Sequence, residues 1–86
     1  MSYQPTAEGR AGNYKAALDI QVDRVKEALD QGSKEMVLYS FGNYAVIERI
    51  VKAAEEPIIR LLAKNAREEI YAYMRKKGFD IDSLVP

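Results

Sequence analysis

The sequence predicts an α+β fold that is predominantly helical, in the order helix, short buried strand, long helix. Two stretches of the chain carry apolar residues at spacings of three and four, which is the period of an α-helix. Between them, residues 36–41 are rich in β-forming side chains and are bounded by Gly32 and Gly42. Because a lone strand leaves its backbone groups unpaired, we expect this strand to pair with its counterpart across a homodimer.

The first helix is predicted to run from Asn13 to Gly32. Its apolar stripe consists of Tyr14, Leu18, Val22, Val25 and Leu29. Asn13 can accept hydrogen bonds from the free amides of the first turn, and Gly32 can adopt the left-handed conformation that ends a helix. Residues 1–12 carry scarcely any large apolar side chain, so we expect a flexible N-terminal arm followed by a single domain over residues 13–86.

The strand is predicted over the run Met-Val-Leu-Tyr-Ser-Phe at residues 36–41. Neither of its two faces is polar, and a strand of this kind needs cover on both sides. With little other strand-like sequence in the chain, the cover is expected from a second copy. The predicted dimer interface therefore comprises Met36, Val37, Leu38, Tyr39 and Phe41.

A long second helix is predicted from Tyr44 to Lys77, with Gly42 as a break and Asn43 as a cap before it. Its apolar stripe keeps its phase across Pro57. The helix therefore either continues with a kink or restarts at Pro57 in almost the same direction. Unbroken, it would be roughly 50 Å long, too long for one small monomer to cover, which again favours a homodimer or a higher oligomer.

Two local expectations complete the fold prediction. A β-hairpin formed by residues 57–63 and 69–75 is the alternative for the second half of this helix, but the abundance of Leu, Ala, Glu, Arg and Lys favours the helix. The C-terminal segment is expected to fold back onto the core as a short extended piece through Phe79, Ile81, Leu84 and Val85.

Composition excludes several kinds of chemistry. The 86 residues include no His and no Cys, so there is no imidazole base, no thiolate and no ordinary zinc site. Asp80 and Asp82 could hold a divalent cation only weakly, and we expect solvated acids there, with no metal, no cofactor and no enzymatic activity. No apolar run approaches the roughly 20 residues that span a membrane. The absence of cysteine and the polar first 15 residues, which predict no signal peptide, favour a cytoplasmic location.

The run from Ala28 to Ile47 (ALDQGSKEMVLYSFGNYAVI) resembles the centre of the Alba family of nucleic-acid-binding proteins. The shared pattern is a helix ending in Leu-x-x-Gly, a short apolar strand closed by Gly, and an amphipathic helix, and it covers roughly residues 20–56. The resemblance implies an α/β dimer. It implies no binding site, because the family places arginines on both sides of the strand-ending glycine, where this chain has Phe41 and Asn43.

Nucleic-acid binding is the sharpest function that the sequence predicts. The net charge is zero, but residues 57–77 hold six basic and two acidic side chains. Most of these basic side chains fall opposite the apolar stripe of a continuous helix and would form a basic ridge for DNA or RNA phosphates. The predicted binding residues are Arg60, Lys64, Arg67, Arg75, Lys76 and Lys77.

Three other functions remain open at this point. A protein–protein interaction or assembly module with no nucleic-acid role is the main alternative, and the six tyrosines suit an interface. A ligand sensor with a pocket between helices is neither favoured nor excluded. A ribbon-helix-helix repressor is disfavoured, because Met36, Leu38 and Ser40 are poor readers of base edges.

Overall fold

The chain forms a three-helix bundle. The computed structural model describes residues 7–84, in which α1 spans Ala7–Gln31, α2 spans Lys34–Lys52 and α3 spans Pro57–Lys76, followed by a 3-10 helix at Ile81–Leu84. The helices run up, down and up, so that α1 and α3 are parallel and α2 is antiparallel to both. The bundle is elongated, with extents of 48 × 22 × 21 Å.

The prediction of an α+β fold is wrong, because residues 36–41 lie inside α2 and the structure shows no strand between residues 7 and 84. Ser33 caps α2, and its Oγ accepts the N–H of Met36 at 3.3 Å. The buried face of α2 consists of Val37, Ser40, Tyr44, Glu48 and Val51. These positions are spaced by three and four, so packing of this helical face overrides the β-propensity of the segment.

Two further expectations depended on the strand and are also wrong. Gly42 lies in the interior of α2 instead of breaking the chain, and Asn43 is not a cap. No strand pairing across a homodimer is available to residues 36–41, since their backbone groups belong to a helix. The α/β dimer that the resemblance to the Alba family implied is therefore not the fold of residues 7–84.

Pro57 opens a new helix, as one of the two alternatives stated, but α3 does not continue in the direction of α2. Pro57 occupies the first turn of α3, where its missing N–H leaves no hydrogen bond unmade. The chain reverses over residues 53–56, and the Arg60 guanidinium donates to the carbonyl oxygens of Ala54 and Glu55 at 2.9 and 2.6 Å. The hairpin alternative is wrong, because residues 57–76 are helical.

The first helix begins earlier than predicted. α1 starts at Ala7 instead of Asn13, so residues 7–12 are helical and not part of an arm. An ion pair between Arg10 and Glu56 ties this first part of α1 to the start of α3. Gly32, at φ +72°, follows the end of α1 as predicted. The remainder of the predicted arm, residues 1–6, lies outside the described residues.

The core lies along the axis where the three helices meet. Its most deeply buried large side chains are Leu18, Val22, Val25, Val37, Tyr44, Val51, Ile59, Ile70 and Met74. The C-terminal segment folds back as expected, with Phe79, Ile81 and Leu84 packed against this core. It does so through a 3-10 helix and not as an extended piece. Val85 lies outside the described residues.

Candidate functional site

A buried charge cluster joins α2 to α3. Glu48 is only 4% exposed, and its carboxylate accepts two hydrogen bonds from Arg67, at 2.7 Å from Nε and 2.6 Å from Nη2. The Tyr44 hydroxyl donates to the same carboxylate at 2.6 Å. Lys52 is the third partner of this carboxylate and forms an ion pair with it, with its Nζ 3.4 Å from Glu48 Oε1. A buried carboxylate with these partners is fully satisfied.

Aromatic rings hold the Arg67 guanidinium in place. It lies 5.4 Å from the ring centroids of both Phe41 and Tyr71, a cation–π distance. Its Nη1 also donates to the Tyr71 hydroxyl at 2.6 Å. The Phe41 and Tyr71 rings stack at a centroid distance of 6.4 Å. Arg67 therefore connects two helices through its side chain and is not a free surface cation.

The electrostatics of this cluster favour a fixed charge pair. Burial would by itself raise the pKa of Glu48, but hydrogen bonds from Arg67 and Tyr44 and the charges of Arg67 and Lys52 outweigh it and lower that pKa. Burial and the Glu48 carboxylate raise the pKa of Tyr44, and the Glu48 hydrogen bond raises the pKa of Arg67. Glu48 is thus ionised and Tyr44 protonated at neutral pH, so neither group is poised to transfer a proton.

The predicted basic ridge is divided by the fold. Arg60 is bonded to the carbonyl oxygens of the α2–α3 turn, and Arg67 is bonded to Glu48. Lys77 pairs with Asp30 of α1 at 2.9 Å, beside the Tyr73 hydroxyl that donates to the same carboxylate. The other three predicted residues, Lys64, Arg75 and Lys76, are exposed on α3. Lys76 Nζ also lies 5.7 Å from the Tyr73 ring centroid. Within residues 7–84, only Lys64 and Arg75 of the six predicted basic side chains therefore show no hydrogen bond, ion pair or cation–π contact.

The predicted dimer residues are divided in the same way. Val37 is buried in the core of its own chain, and Phe41 is half-buried against Tyr44 and Tyr71. Met36, Leu38 and Tyr39 are exposed, with Tyr39 at 70%. The single helix over residues 34–52 adds Val46 and Ile50, exposed at 55% and 52%. Neither was predicted as an interface residue, because both were expected in a separate helix that begins after Gly42 and Asn43.

We call the resulting surface the α2 outer face. It consists of Met36, Leu38, Tyr39, Gly42, Val46 and Ile50, all of them exposed. The sequence contains the helical spacing of this face, since positions 36, 39, 43, 46 and 50 are separated alternately by three and four residues. It could be read only after residues 36–41 were recognised as helical.

Two concave regions lie beside these elements. A groove of about 320 Å³ between α1 and α2 is lined by residues that include Arg24, Glu27, Met36, Tyr39 and Asn43, so it borders the α2 outer face. A cavity of about 340 Å³ lies between the α1–α2 turn and the C-terminal segment, with Ser33, Lys77 and Phe79 among its lining residues.

The acidic pair near the C-terminus is engaged locally. Asp80 Oδ1 accepts the backbone N–H of Asp82 at 3.0 Å, which is a turn contact. Across residues 7–84, the structure shows no group of three or more acidic side chains that could hold a metal ion. Over the same residues, none of the helices combines the length and the apolar character that crossing a membrane requires.

Comparison of this chain with family models, curated proteins and solved structures found no match to any of them. The resemblance of residues 20–56 to the Alba family stays a prediction, and none of the proposals below depends on it.

Proposed function

We propose that the protein is a small, non-catalytic protein-interaction module that assembles through the α2 outer face. The observation that supports this function is the exposure of five large apolar side chains on one helix. Met36, Leu38, Tyr39, Val46 and Ile50 are between 39% and 70% exposed. Large apolar side chains exposed together on one helix of a small domain mark an interaction site.

The hydrophobic core of the single chain does not include these side chains. The bundle core is filled from all three helices without them, and the buried face of α2 points the other way. Each exposed apolar side chain leaves area in contact with water, and its burial is worth about 25 cal/mol per Å². A partner that covers the α2 outer face would therefore gain binding energy from a surface that contributes little to the fold of the single chain.

Site-specific photo-crosslinking tests this function. The photoreactive residue p-benzoylphenylalanine replaces Val46 in one variant and Leu61, a 49% exposed residue of α3, in the matched control. In cells that produce the chain, the variant at position 46 is expected to crosslink to a polypeptide that mass spectrometry identifies, and the control is not. The change Leu38→Glu, made in addition, should remove the product. Equal yields at the two positions, or no polypeptide product at position 46, would contradict the proposal.

Nucleic-acid binding stays a prediction, with a smaller set of residues behind it. Lys64 and Arg75 lie on the same side of α3 and are exposed, with Glu68 between them. If they contact phosphates, the affinity for duplex DNA or RNA should fall steeply with salt, and the double change Lys64→Glu with Arg75→Glu should abolish binding. The control is Arg24→Glu with Lys34→Glu, which alters the net charge equally elsewhere on the surface. Binding is measured by fluorescence anisotropy, and an affinity that is weak and does not change with salt would exclude this function.

A further inference from the structure

We infer that the partner of the α2 outer face is a second copy of the same chain, packed antiparallel about a two-fold axis beside Gly42. This inference rests on the proposed function and names the occupant of its surface. Three features of α2 carry it: a glycine without a role inside the single chain, an apolar pattern that is complementary to itself, and opposite charges at equal distances on either side.

Gly42 lies in the middle of the α2 outer face. It is in the interior of a helix, does not have a positive φ, and a Cβ built there would meet nothing within 4 Å. Neither the backbone conformation nor packing within the described chain therefore requires glycine, although glycine weakens a helix relative to almost any other residue. The close approach of another backbone would require it, because a helix can cross nearest where no side chain projects.

The apolar residues around Gly42 match one another under this symmetry. A two-fold axis perpendicular to α2, passing beside Gly42 and Asn43, brings each position next to the one equally far away on the other side. Tyr39 then packs on Val46 of the partner subunit, and Met36 packs on Ile50 of the partner subunit. Asn43 faces its own copy close to the axis, where two amide side chains can hydrogen-bond and fix the register.

Charge selects the antiparallel orientation. Glu35 lies seven residues before Gly42 and Arg49 lies seven residues after it, on almost the same line of the helix. Both are exposed, and within residues 7–84 neither forms an ion pair. In the antiparallel pair, Glu35 lies against Arg49 of the partner subunit, and the contact occurs twice. In a parallel pair, Glu35 and Arg49 of the two copies would lie about 21 Å apart along the helices, so neither contact could form.

Gly12 is the natural comparison for Gly42. It also lies in a helix interior and is exposed, and a Cβ built there would also meet nothing within 4 Å. Its neighbours one turn on are Lys15 and Ala16, so no large apolar surface follows it. A change from glycine to glutamine at either site should favour the helix, but only the change at position 42 places a side chain between the two copies.

Sedimentation equilibrium over a hundredfold range of protein concentration tests whether Gly42 is needed for association. The native chain is expected to move reversibly between 9.7 kDa and twice that mass. Gly42→Gln should stay at the monomer mass, and Gly12→Gln should associate like the native chain. A native chain that remains monomeric throughout, or Gly42→Gln with an unchanged association constant, would overturn the inference.

Charge exchange tests the orientation. Glu35→Lys alone and Arg49→Glu alone should each weaken dimerisation about tenfold, since each turns two attractive contacts into two repulsive ones. The double variant Glu35→Lys with Arg49→Glu should restore it, because both pairs form again with reversed sign. Glu35 and Arg49 also suit the dipole of α2, and a role confined to the dipole would make the double variant the least helical of the set, with no restored association.

Disulfide trapping gives an independent measure, because the native chain contains no cysteine. A mixture of the Tyr39→Cys and Val46→Cys chains should form the 39–46 crosslink in preference to the 39–39 and 46–46 products. Preference for the two symmetric products would contradict the antiparallel arrangement. If the photo-crosslink at position 46 identifies a different polypeptide and the native chain sediments as a monomer, this inference fails and the proposed function survives. If position 46 gives no polypeptide product, both fail.

Discussion

Glu48 keeps its charge in a position from which water is almost entirely excluded. Arg67 and Tyr44 donate hydrogen bonds to its carboxylate, and Lys52 forms an ion pair with it. The bidentate contact from Arg67 is the shorter of the two charge pairs. A buried ion pair adds little net stability compared with an apolar pair, but removal of one partner is costly because the other charge stays buried. The two residues of the pair should therefore respond differently to substitution.

We expect Arg67→Met to lower the free energy of unfolding by about 3 kcal/mol, because it leaves the Glu48 charge buried without its main partner. Lys64→Met, the same kind of change on an exposed residue of the same helix, should stay within about 0.5 kcal/mol of the native chain. Urea denaturation followed by circular dichroism measures both. Equal losses for the two variants would mean that Arg67 does not hold the charge of Glu48.

The cluster also predicts how stability changes in acid. The pKa of Glu48 is lower in the folded chain than in the unfolded chain, so the unfolded chain binds more protons at low pH. The stability contributed by Glu48 is therefore present above its unfolded value near 4.5 and is lost as the pH falls through its folded value. Asp30, whose pKa is lowered by hydrogen bonds from Tyr73 and Lys77, acts in the same direction.

Glu48→Gln isolates the contribution of that one carboxylate. At pH 7 the variant should be about 1–2 kcal/mol less stable than the native chain, and the difference should narrow as the pH falls toward 3. The matched control is Glu68→Gln, the same change at an exposed position of α3. The measurement is urea denaturation at a series of pH values, and a constant difference across the series would contradict the assignment.

At the scale of the element, α2 shows why part of the fold could be predicted and part could not. The end of α1 at Gly32 and the return of Phe79 to the core were predicted. A helix that starts at Pro57 was one of two alternatives, and the reversal of direction between α2 and α3 was not predicted. The apolar and aromatic run at 36–41 satisfies strand and helix patterns alike over so short a length. Only tertiary packing decides between them.

The buried face of α2 was concealed by its own composition. It contains Ser40, Tyr44 and Glu48, and a charged residue ordinarily marks the solvent side of a helix. Glu48 is tolerated there because Arg67 comes from another helix, and a single sequence does not state that pairing. The basic ridge was predicted for the same reason, since an arginine opposite an apolar stripe gives no sign that a buried carboxylate lies beside it.

The N-terminal cap of α2 can be tested directly. We expect Ser33→Ala to lower the free energy of unfolding by about 1 kcal/mol, because the Met36 N–H loses the Ser33 Oγ that accepts its hydrogen bond. Ser33→Asp should retain most of the stability, since its carboxylate can accept the same hydrogen bond and suits the positive end of the helix dipole. Thermal denaturation compares the two. If residues 36–41 formed a strand, neither change at Ser33 would alter the stability through a helix cap.

At the scale of the whole molecule, the bundle is small, and its stability should depend on association. An 86-residue domain is expected to have a free energy of unfolding of about 4–13 kcal/mol, so cover of the α2 outer face would be a sizeable addition. The proposed dimer predicts that the native melting temperature rises with protein concentration, because mass action would favour a folded dimer. That of Gly42→Gln should not change with concentration. Differential scanning calorimetry at several concentrations makes the comparison.

The odd number of helices places the two ends of the described chain far apart. Ala7 lies at the end of the bundle where Arg10 meets Glu56, and the C-terminal segment lies at the opposite end, beside the α1–α2 turn. The length of α1 separates these ends by about 36 Å at 1.5 Å per residue. A circular permutant that joined residues 84 and 7 would need a linker of at least about eleven residues. Inserted in line between two other segments, the bundle would act as a rigid strut that holds them apart by its own length.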